Sequence, residues 1–568
     1  MMYPTEKRKV REKMESIGIG IGESDFRMLR QKQNYYIDKT EFIKNIIDNQ
    51  SKVVLITRPR RFGKTLNMST LRYYFDNQIE NAKELFEGLK IMDVGEKYTS
   101  QMSSYPCIYM TFKDVRQTTY ENMIYKLKKE MADIYRQHRY ILDSQKIYEE
   151  EKKNIMKILL EEENEIDLSE TIKDLTEYLY RIYQKPVLLF LDEYDVPLQD
   201  AYINGYFDKA KTFFRTFYGE TFKDNSYLEK TVITGVSRVA KESIFTGANN
   251  FDVFTVLDNE FSSDFGITEQ EMEKIMKDFQ VVEKKEQIKK WYDGYTIGEQ
   301  EGIYNPWSVL KYLQTRKLQQ YWVNTSSNDL IKLILKNSTT VKEKIERLLK
   351  DEPIEVTVDQ ETVMIGIENN EDNIWGLLVG TGYLKVVERK ERKKCKVQIP
   401  NYEIKELFED IIDDWFKDKV IGNDLNSILK DLVTLNLEQF EEKFERLVLE
   451  MFSFMDIGEN TAENFYHAFV LGMLVGLKDS YYVNSNRESG LGRYDIMLEP
   501  KDKNQNSFIM EFKVHKPEKE NTIEEAIQNA KKQIEEKKYE QNLQERGFTN
   551  ITKMVFAFKG KEVKMEAY

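Results

Sequence analysis

Apolar runs alternate with helix-period stretches along the first half of the chain. The run Val53-Val54-Leu55-Ile56 predicts a strand over 53–57, followed by a helix from Thr65 to about Phe75. Cys107–Phe112 is a second strand candidate, and the charged stretch from about 120 to 182 reads as helical. Val187-Leu188-Leu189-Phe190-Leu191 is continuously apolar, the pattern of a strand buried on both faces of a parallel sheet. A further strand is expected at Lys230–Thr234. Before all of these, Tyr36-Ile37-Asp38-Lys39-Thr40 leads into the amphipathic spacing of Phe42, Ile43, Ile46 and Ile47. Strands separated by helical stretches predict a three-layer α/β domain.

The second half changes character. From about 265 to 350 the pattern is helical, interrupted by Trp291-Tyr292-Asp293-Gly294-Tyr295 and Tyr304-Asn305-Pro306-Trp307. Residues 351–372 are acidic and read as linker or β-rich, and 374–416 read as helix, hairpin, helix. Beyond about 430 two apolar segments, Arg493–Leu498 and Phe508–Lys513, flank a polar turn-like stretch, Pro500–Asn506. Ile523, Ala526, Ile527, Ala530 and Ile534 then repeat at helical spacing. The expected division is 1–264, a middle region 265–430, and 431–568.

The net charge of −13 argues against a uniformly basic DNA-coating protein. Residues 1–70 nevertheless hold fifteen Lys/Arg against eight Asp/Glu, so any polyanion site is a local patch. Cys107 and Cys395 are the only cysteines, and His138, His467 and His515 the only histidines. A disulfide framework, a thiolate zinc site and a His-rich metal site are all excluded. The start MMYPTEKRKVREKME lacks the apolar core of a secretory signal, and the stretch Phe465–Leu477 is too short to span a bilayer. A soluble cytoplasmic protein with no membrane partner is the expectation.

Two groups of residues carry candidate chemistry. Arg58-Pro59-Arg60-Arg61-Phe62-Gly63-Lys64-Thr65 follows a strand and precedes a helix. A phosphate loop needs backbone N–H groups at a helix N-terminus, a Lys to neutralise charge and a Ser/Thr to hold Mg²⁺, roles that Gly63, Lys64 and Thr65 match. Position 58, where the general pattern has glycine, is Arg, and a basic turn is the competing reading. Asp192 and Glu193 end the buried strand, at the edge where open α/β sheets bind ligands; one carboxylate can hold Mg²⁺ through water and the next orient the attacking water. Asp192 as a mere helix cap after a core strand is the alternative. Ser237 and Arg238 suit a γ-phosphate sensor and a charge-stabilising Arg, or equally a surface loop. Arg60 and Arg61 can contact phosphate or simply solvate the loop edge.

These segments, with Leu191-Asp192-Glu193-Tyr194-Asp195 and Thr234-Gly235-Val236-Ser237-Arg238, resemble the bacterial AAA-ATPase-like proteins. In that family the Arg-Pro-Arg-Arg-Phe lead into Gly-Lys-Ser/Thr is itself typical, and a C-terminal PD-(D/E)XK nuclease-like domain is common. The resemblance spans about 15–310 and 460–565. It implies an AAA-like P-loop ATPase domain, a helical lid with a winged-helix-like middle, and a restriction-endonuclease-like α/β domain, with ATP and Mg²⁺ as cofactors.

Phosphodiester cleavage needs clustered carboxylates to hold Mg²⁺ and a Lys to position or deprotonate water. On the nuclease resemblance Asp495 lies in one strand, with Glu511 and Lys513 on one face of the next. A solvated cross-strand ion pair is the alternative. Glu463 is a further candidate metal carboxylate on a helix, or an exposed helix residue. By resemblance Gln533 and Tyr539 approach the site; a helix surface and a packed Tyr are the alternative. His467 reads as a packing residue and His515 as an incidental loop residue. Between residues 381 and 400, seven Lys/Arg face two Glu on a wing-like hairpin, which either contacts phosphates or only keeps the surface charged.

The expected function is an ATP-binding and ATP-hydrolysing protein coupled to a Mg²⁺-dependent nuclease acting on nucleic acid, DNA before RNA. The alternative is a nucleotide-controlled switch or adaptor whose nuclease-like domain binds without cutting. The resemblance leaves room for a homo-oligomer with an Arg supplied in trans.

Overall fold

The computed structural model describes residues 18–161, 167–237, 245, 251–322, 339–349, 351–359, 371–420, 424–453, 463–485, 488–489, 492–515, 522–559 and 562–568. The chain divides into two units, Met1–Asn337 with Arg347–Leu407, and Ser338–Glu346 with Phe408–Tyr568.

The first unit is built on five parallel strands, β1 (Val53–Thr57), β2 (Cys107–Thr111), β3 (Val187–Asp192), β4 (Leu228–Gly235) and β5 (Phe251–Phe254), in the order β2-β3-β4-β1-β5. Every residue of β1 and β3 is buried, as expected where helices cover both faces of a sheet. Because β4 lies between β1 and β3, the segments leaving β1 and β3 emerge at the same carboxyl edge, on either side of β4. The register pairs Thr57 with Gly235 and Leu191 with Ile233. The helix after β1 begins at Lys64 and runs to Phe75, and the amphipathic segment expected after Lys39 is a helix, Glu41–Asp48, with Phe42, Ile43 and Ile46 inward.

Three helices, Glu269–Asp278, Lys285–Tyr292 and Pro306–Thr315, form a second small core around Ile267, Met272, Ile288, Tyr304 and Val309. A short hairpin, β6 (Tyr295–Ile297) and β7 (Gln300–Ile303), interrupts them. The two aromatic interruptions read from the sequence have distinct structural causes. Asn305 caps the third helix, accepting from the amides of Trp307 and Ser308, and Pro306 occupies the first turn, where no donor is needed. Gly294 turns with φ +107° directly against residue 400; a Cβ there would lie 1.9 Å from the Pro400 carbonyl oxygen.

Acidic residues 351–359 include a strand, β8 (Ile354–Thr357), which joins β9 (Lys385–Arg389) and β10 (Lys394–Gln398) in the antiparallel order β8-β10-β9. The wing is therefore charge-compensated by its own sheet. Lys390 pairs with Glu355 at 2.6 Å, Lys393 with Asp359 at 3.1 Å, and Lys396 with Glu388 at 2.6 Å. These pairs are exposed and each contributes little to stability, but they spend charge that a free wing would offer to phosphate.

The second unit carries a mixed sheet of β11 (Tyr481–Ser485), β14 (Ile496–Pro500), β15 (Ser507–Val514), β16 (Ile551–Lys559) and β17 (Glu562–Ala567), in the order β11-β14-β15-β16-β17. A two-residue pair, β12 (Glu488–Ser489) and β13 (Gly492–Arg493), precedes β14. Only β15 and β16 run parallel. Strand alternation sorts the sheet into two cores. Phe508, Met510 and Phe512 join Phe440, Phe444 and Val470 from the preceding helices. Ile509, Val555 and Ala557 face the other way, onto Ile523, Ala526, Ile527, Ala530 and Ile534 of the helix Ile523–Lys537. Among the described residues no helix is long and apolar enough to cross a membrane.

Gly294→Ala is expected to destabilise the first unit by about 2–4 kcal/mol, because both the positive φ and the Pro400 carbonyl oppose a side chain. Denaturant unfolding would measure it, and an unchanged midpoint would show that the turn relaxes freely.

Candidate active sites

The loop after β1 is shaped from outside. Arg58 is fully buried, and its guanidinium donates to five backbone carbonyls: Thr57 at 2.8 Å, Phe254 at 3.2 Å, Thr255 at 2.8 Å, Glu260 at 3.1 Å and Phe261 at 3.0 Å. Its carbon centre also lies 5.4 Å from the Phe265 ring. Burial lowers its pKa to about 10, opposed by the charges of Asp264 and Asp258, so it remains a cation at neutral pH. The residue that departs from the general glycine pattern thus binds the loop to the segment after β5.

Gly63 then takes φ +86° with open space where a Cβ would sit, and the helix starts at once. Lys64 is buried and folds back on its own loop, donating to the Arg58 carbonyl at 3.0 Å and the Pro59 carbonyl at 2.9 Å. Burial lowers its pKa, while Glu193, Asp195 and Asp192 hold it up. Asp192 is fully buried and accepts from the Thr234 hydroxyl. Burial raises its pKa; Thr234, the Thr65 side chain and the Lys64 charge pull the other way. Its Oδ2 is buried and lacks a hydrogen bond of ordinary geometry among the described residues. Glu193 adopts φ +55°, and burial and then Asp192 raise its pKa.

Lys64, Thr65 and Glu193 line one cavity of about 580 Å³, within the roughly 300–1,000 Å³ usual for small-molecule sites. Gly63, Arg60 and Arg61 line it too, and Tyr35, Ile37, Trp307 and Leu310 stand around it. Arg61 has φ +64°, and its guanidinium lies 4.3 Å from the centre of the Trp307 ring. The sequence alone gave Arg61 no such partner. Asp264, at the same cavity, holds Asn45 through both carboxylate oxygens, and burial raises its pKa to about 6.

Ser237, a candidate phosphate sensor, is held by Asp195 in this structure. Its hydroxyl and amide both donate to Asp195 Oδ2 at 2.8 Å, and Gln199 Nε2 reaches the same oxygen at 2.6 Å. Gly235 permits this approach, since a Cβ would lie 2.6 Å from the Tyr194 ring and 2.8 Å from Asp195 Oδ1. Asp195 ends the segment Leu191–Asp195, and nothing in the sequence around it signals this contact. Arg238 lies outside the described residues.

In the second unit Asp495 lies in a bend just ahead of β14, not in the strand itself. Its Oδ2 turns across to the next strand and accepts the Phe512 amide at 2.8 Å. Since Ile496 pairs with Met510, the bend still brings Asp495 beside Glu511. Glu511 is 1% exposed on the face under the helix Ile523–Lys537. Its Oε1 meets Lys513 Nζ at 3.4 Å and accepts from Gln533 Nε2, which also reaches the Tyr539 hydroxyl at 3.2 Å. Gln533 and Tyr539, left open from sequence, are therefore both at the site. Burial raises the Tyr539 pKa against the Gln533 hydrogen bond. Glu463 opens the helix Glu463–Leu474, but its side chain and that of His467 lie outside the described residues. His515 is buried after β15, its amide donating to Phe558. No group of three or more His, Cys, Asp or Glu side chains suited to a metal occurs among the described residues.

With this geometry in place, residues 19–245 match the family model described as predicted AAA-ATPase, and residues 461–568 match that of the PD-(D/E)XK nuclease superfamily. The chain is also similar to an uncharacterized protein in the vnfD 5′ region of Azotobacter chroococcum mcd 1, with 24% identity over 390 residues covering 68% of each chain.

Replacing Arg58 with Met would leave five carbonyls without their donor, and is expected to destabilise the first unit by at least about 3 kcal/mol in denaturant unfolding. A loss below about 0.5 kcal/mol would refute the clamp. Asp264 binds its proton more tightly folded than unfolded, so its contribution to stability is full below pH 3.8 and is lost as pH rises through about 6. Asp264→Asn should flatten the stability profile between those values; an unaltered slope there would contradict the assignment.

Proposed function

We propose that this chain, which carries an AAA-ATPase-like domain followed by a PD-(D/E)XK nuclease superfamily domain, binds and hydrolyses ATP and couples that cycle to Mg²⁺-dependent cleavage of DNA phosphodiester bonds. The observation that carries the reading is the convergence of Lys64, Thr65 and Glu193 on one cavity of nucleotide size at the carboxyl edge of the parallel sheet, with the buried Asp192 beside Thr65 and Lys64.

In this reading the Gly63 turn and the helix N-terminus receive the phosphates. Lys64 exchanges the Arg58 and Pro59 carbonyls for phosphate oxygens. Thr65 and the orphaned Asp192 Oδ2 suit a hydrated Mg²⁺, and Glu193, made more basic by burial, orients water. Arg60 and Arg61 supply positive charge at the rim, with Ser237 held back by Asp195. In the second unit Asp495 and Glu511, with Glu463 as a third carboxylate, would hold Mg²⁺, which supplies activated water and stabilises phosphorane charge. Lys513 would position that water, or take its proton after first giving up its own, while Gln533 and Tyr539 would fix Glu511. The engagement of Glu511 Oε1 by both Lys513 and Gln533 equally suits a domain that binds nucleic acid without cutting.

Lys64→Ala should abolish ATP binding, whereas Glu193→Gln should bind ATP but hydrolyse it about 10²–10⁴-fold more slowly. Nucleotide affinity unchanged in Lys64→Ala would sink the nucleotide site. Linear and circular DNA incubated with Mg²⁺, with and without ATP, should be cut by wild type and not by Glu511→Ala or Lys513→Ala. Equal cleavage by wild type and the variants would remove that site, and no cleavage by any of them would favour the non-cutting switch.

A further inference from the structure

We propose that Glu403 is a positioning residue for the nucleotide loop, acting through Trp322 on the Arg60 carbonyl. The inference rests on the reading of residues 58–65 as the phosphate-binding loop.

Three consecutive loop residues are each met by a residue from a different distant segment. At Pro59, Gly382 packs so closely that a Cβ would lie 2.8 Å from the Pro59 Cβ. At Arg60, the carbonyl accepts from the Trp322 indole Nε1 at 2.9 Å. At Arg61, the guanidinium rests on Trp307. Trp322 and Tyr383 pack with ring centres 5.1 Å apart, which joins the first two contacts.

Glu403 ties the second to the third. It opens the helix Tyr402–Val420 and is fully buried. One carboxylate oxygen accepts from the amides of both Tyr321 and Trp322, the latter at 2.6 Å. The other accepts from the Ser308 hydroxyl at 2.7 Å, one residue beyond Trp307. The Trp307 indole in turn donates to the Tyr321 carbonyl at 3.3 Å. Burial pushes the Glu403 carboxyl up to about 7, against these three donors. A buried carboxylate bonded to two loop-contacting segments, and not among the described residues that line the cavity, acts by holding those segments in place. Arg58 fixes the start of the loop to residues 254–261; Glu403 holds Trp322, which fixes the Arg60 carbonyl.

The chemistry separates shape from charge. Gln at 403 keeps an oxygen for the two amides and can donate its NH₂ to the Ser308 oxygen, so the bonds survive without the charge. Trp322→Phe keeps an aromatic ring toward Tyr383, deletes the Nε1 donor and trims the outer part of the buried indole. Loosening the loop reduces the binding-competent fraction, which weakens nucleotide affinity in proportion and leaves turnover at saturation unaffected.

The test is ATP dissociation constant, and turnover at saturating ATP with Mg²⁺, in the full chain for wild type, Trp322→Phe, Glu403→Ala, Glu403→Gln and the double variant Trp322→Phe/Glu403→Ala. Trp322→Phe should raise the dissociation constant about 3–10-fold with turnover within about two-fold of wild type. Glu403→Ala should do the same, the double variant should be no weaker than the weaker single, and Glu403→Gln should match wild type. Multiplying effects in the double variant, or unchanged affinity in Trp322→Phe, would overturn the proposal. If Glu403→Ala does not fold, the contrast between Trp322→Phe and Glu403→Gln decides. Wild type failing to bind ATP would overturn the nucleotide reading and this proposal together; wild type and Trp322→Phe binding equally would overturn only the proposal.

Discussion

A positive charge removed from water governs the first unit. Arg58 has no solvent to fall back on, so its five carbonyl partners must be held in one arrangement for the charge to be tolerated at all. Those carbonyls belong to the end of β1 and to residues 254–261, which makes the loop geometry a property of the surrounding fold. A loop that usually depends on glycine for its path is here directed by a side chain, with glycine kept for the one position, Gly63, where the helix begins. In the proposed reading a nucleotide would meet a loop whose path is already set, and the ordering cost would fall on the fold, not on the ligand.

The two units handle acidic groups alike. Asp192 ends an apolar strand and Glu511 lies within one; each is almost wholly excluded from solvent, and each has a Lys close by. Buried carboxylates are costly unless something compensates them, and in both places the compensation is partial and local. Neighbouring hydroxyl and amide donors take one oxygen: Thr234 in the first unit, Gln533 in the second. The surrounding apolar strand residues do the rest by keeping water out, which strengthens whatever charge enters.

How much of this could be read from the chain depends on how local the cause was. β1 and β3 were legible because burial on both faces leaves an unbroken apolar run. The helix over Glu511 was legible from its spacing of Ile and Ala. Glu511 and Lys513 were placed on one face by alternation alone. What stayed hidden came from partners far along the chain. Nothing near Asp495 announces that it bends to take the Phe512 amide. Ser237 looks free until Asp195 is placed beside it, and the basic wing looks available until Glu355 of β8 and Asp359 just beyond it arrive. Trp322 and Glu403 carry no motif, because their significance lies wholly in which distant carbonyl and amides they reach.

The alternation in β15 has a consequence for how this chain tolerates insertions and deletions. Phe508, Met510 and Phe512 fill one core, while Ile509 and Glu511 face the other. One residue gained or lost inside the strand would drive Glu511 among the phenylalanines and turn Phe512 toward Gln533. The same change in the exposed turn over 501–505 would be absorbed without moving either side chain across the sheet. The number of residues between the two carboxylates is therefore free to drift, whereas the side of the sheet on which Glu511 stands is not.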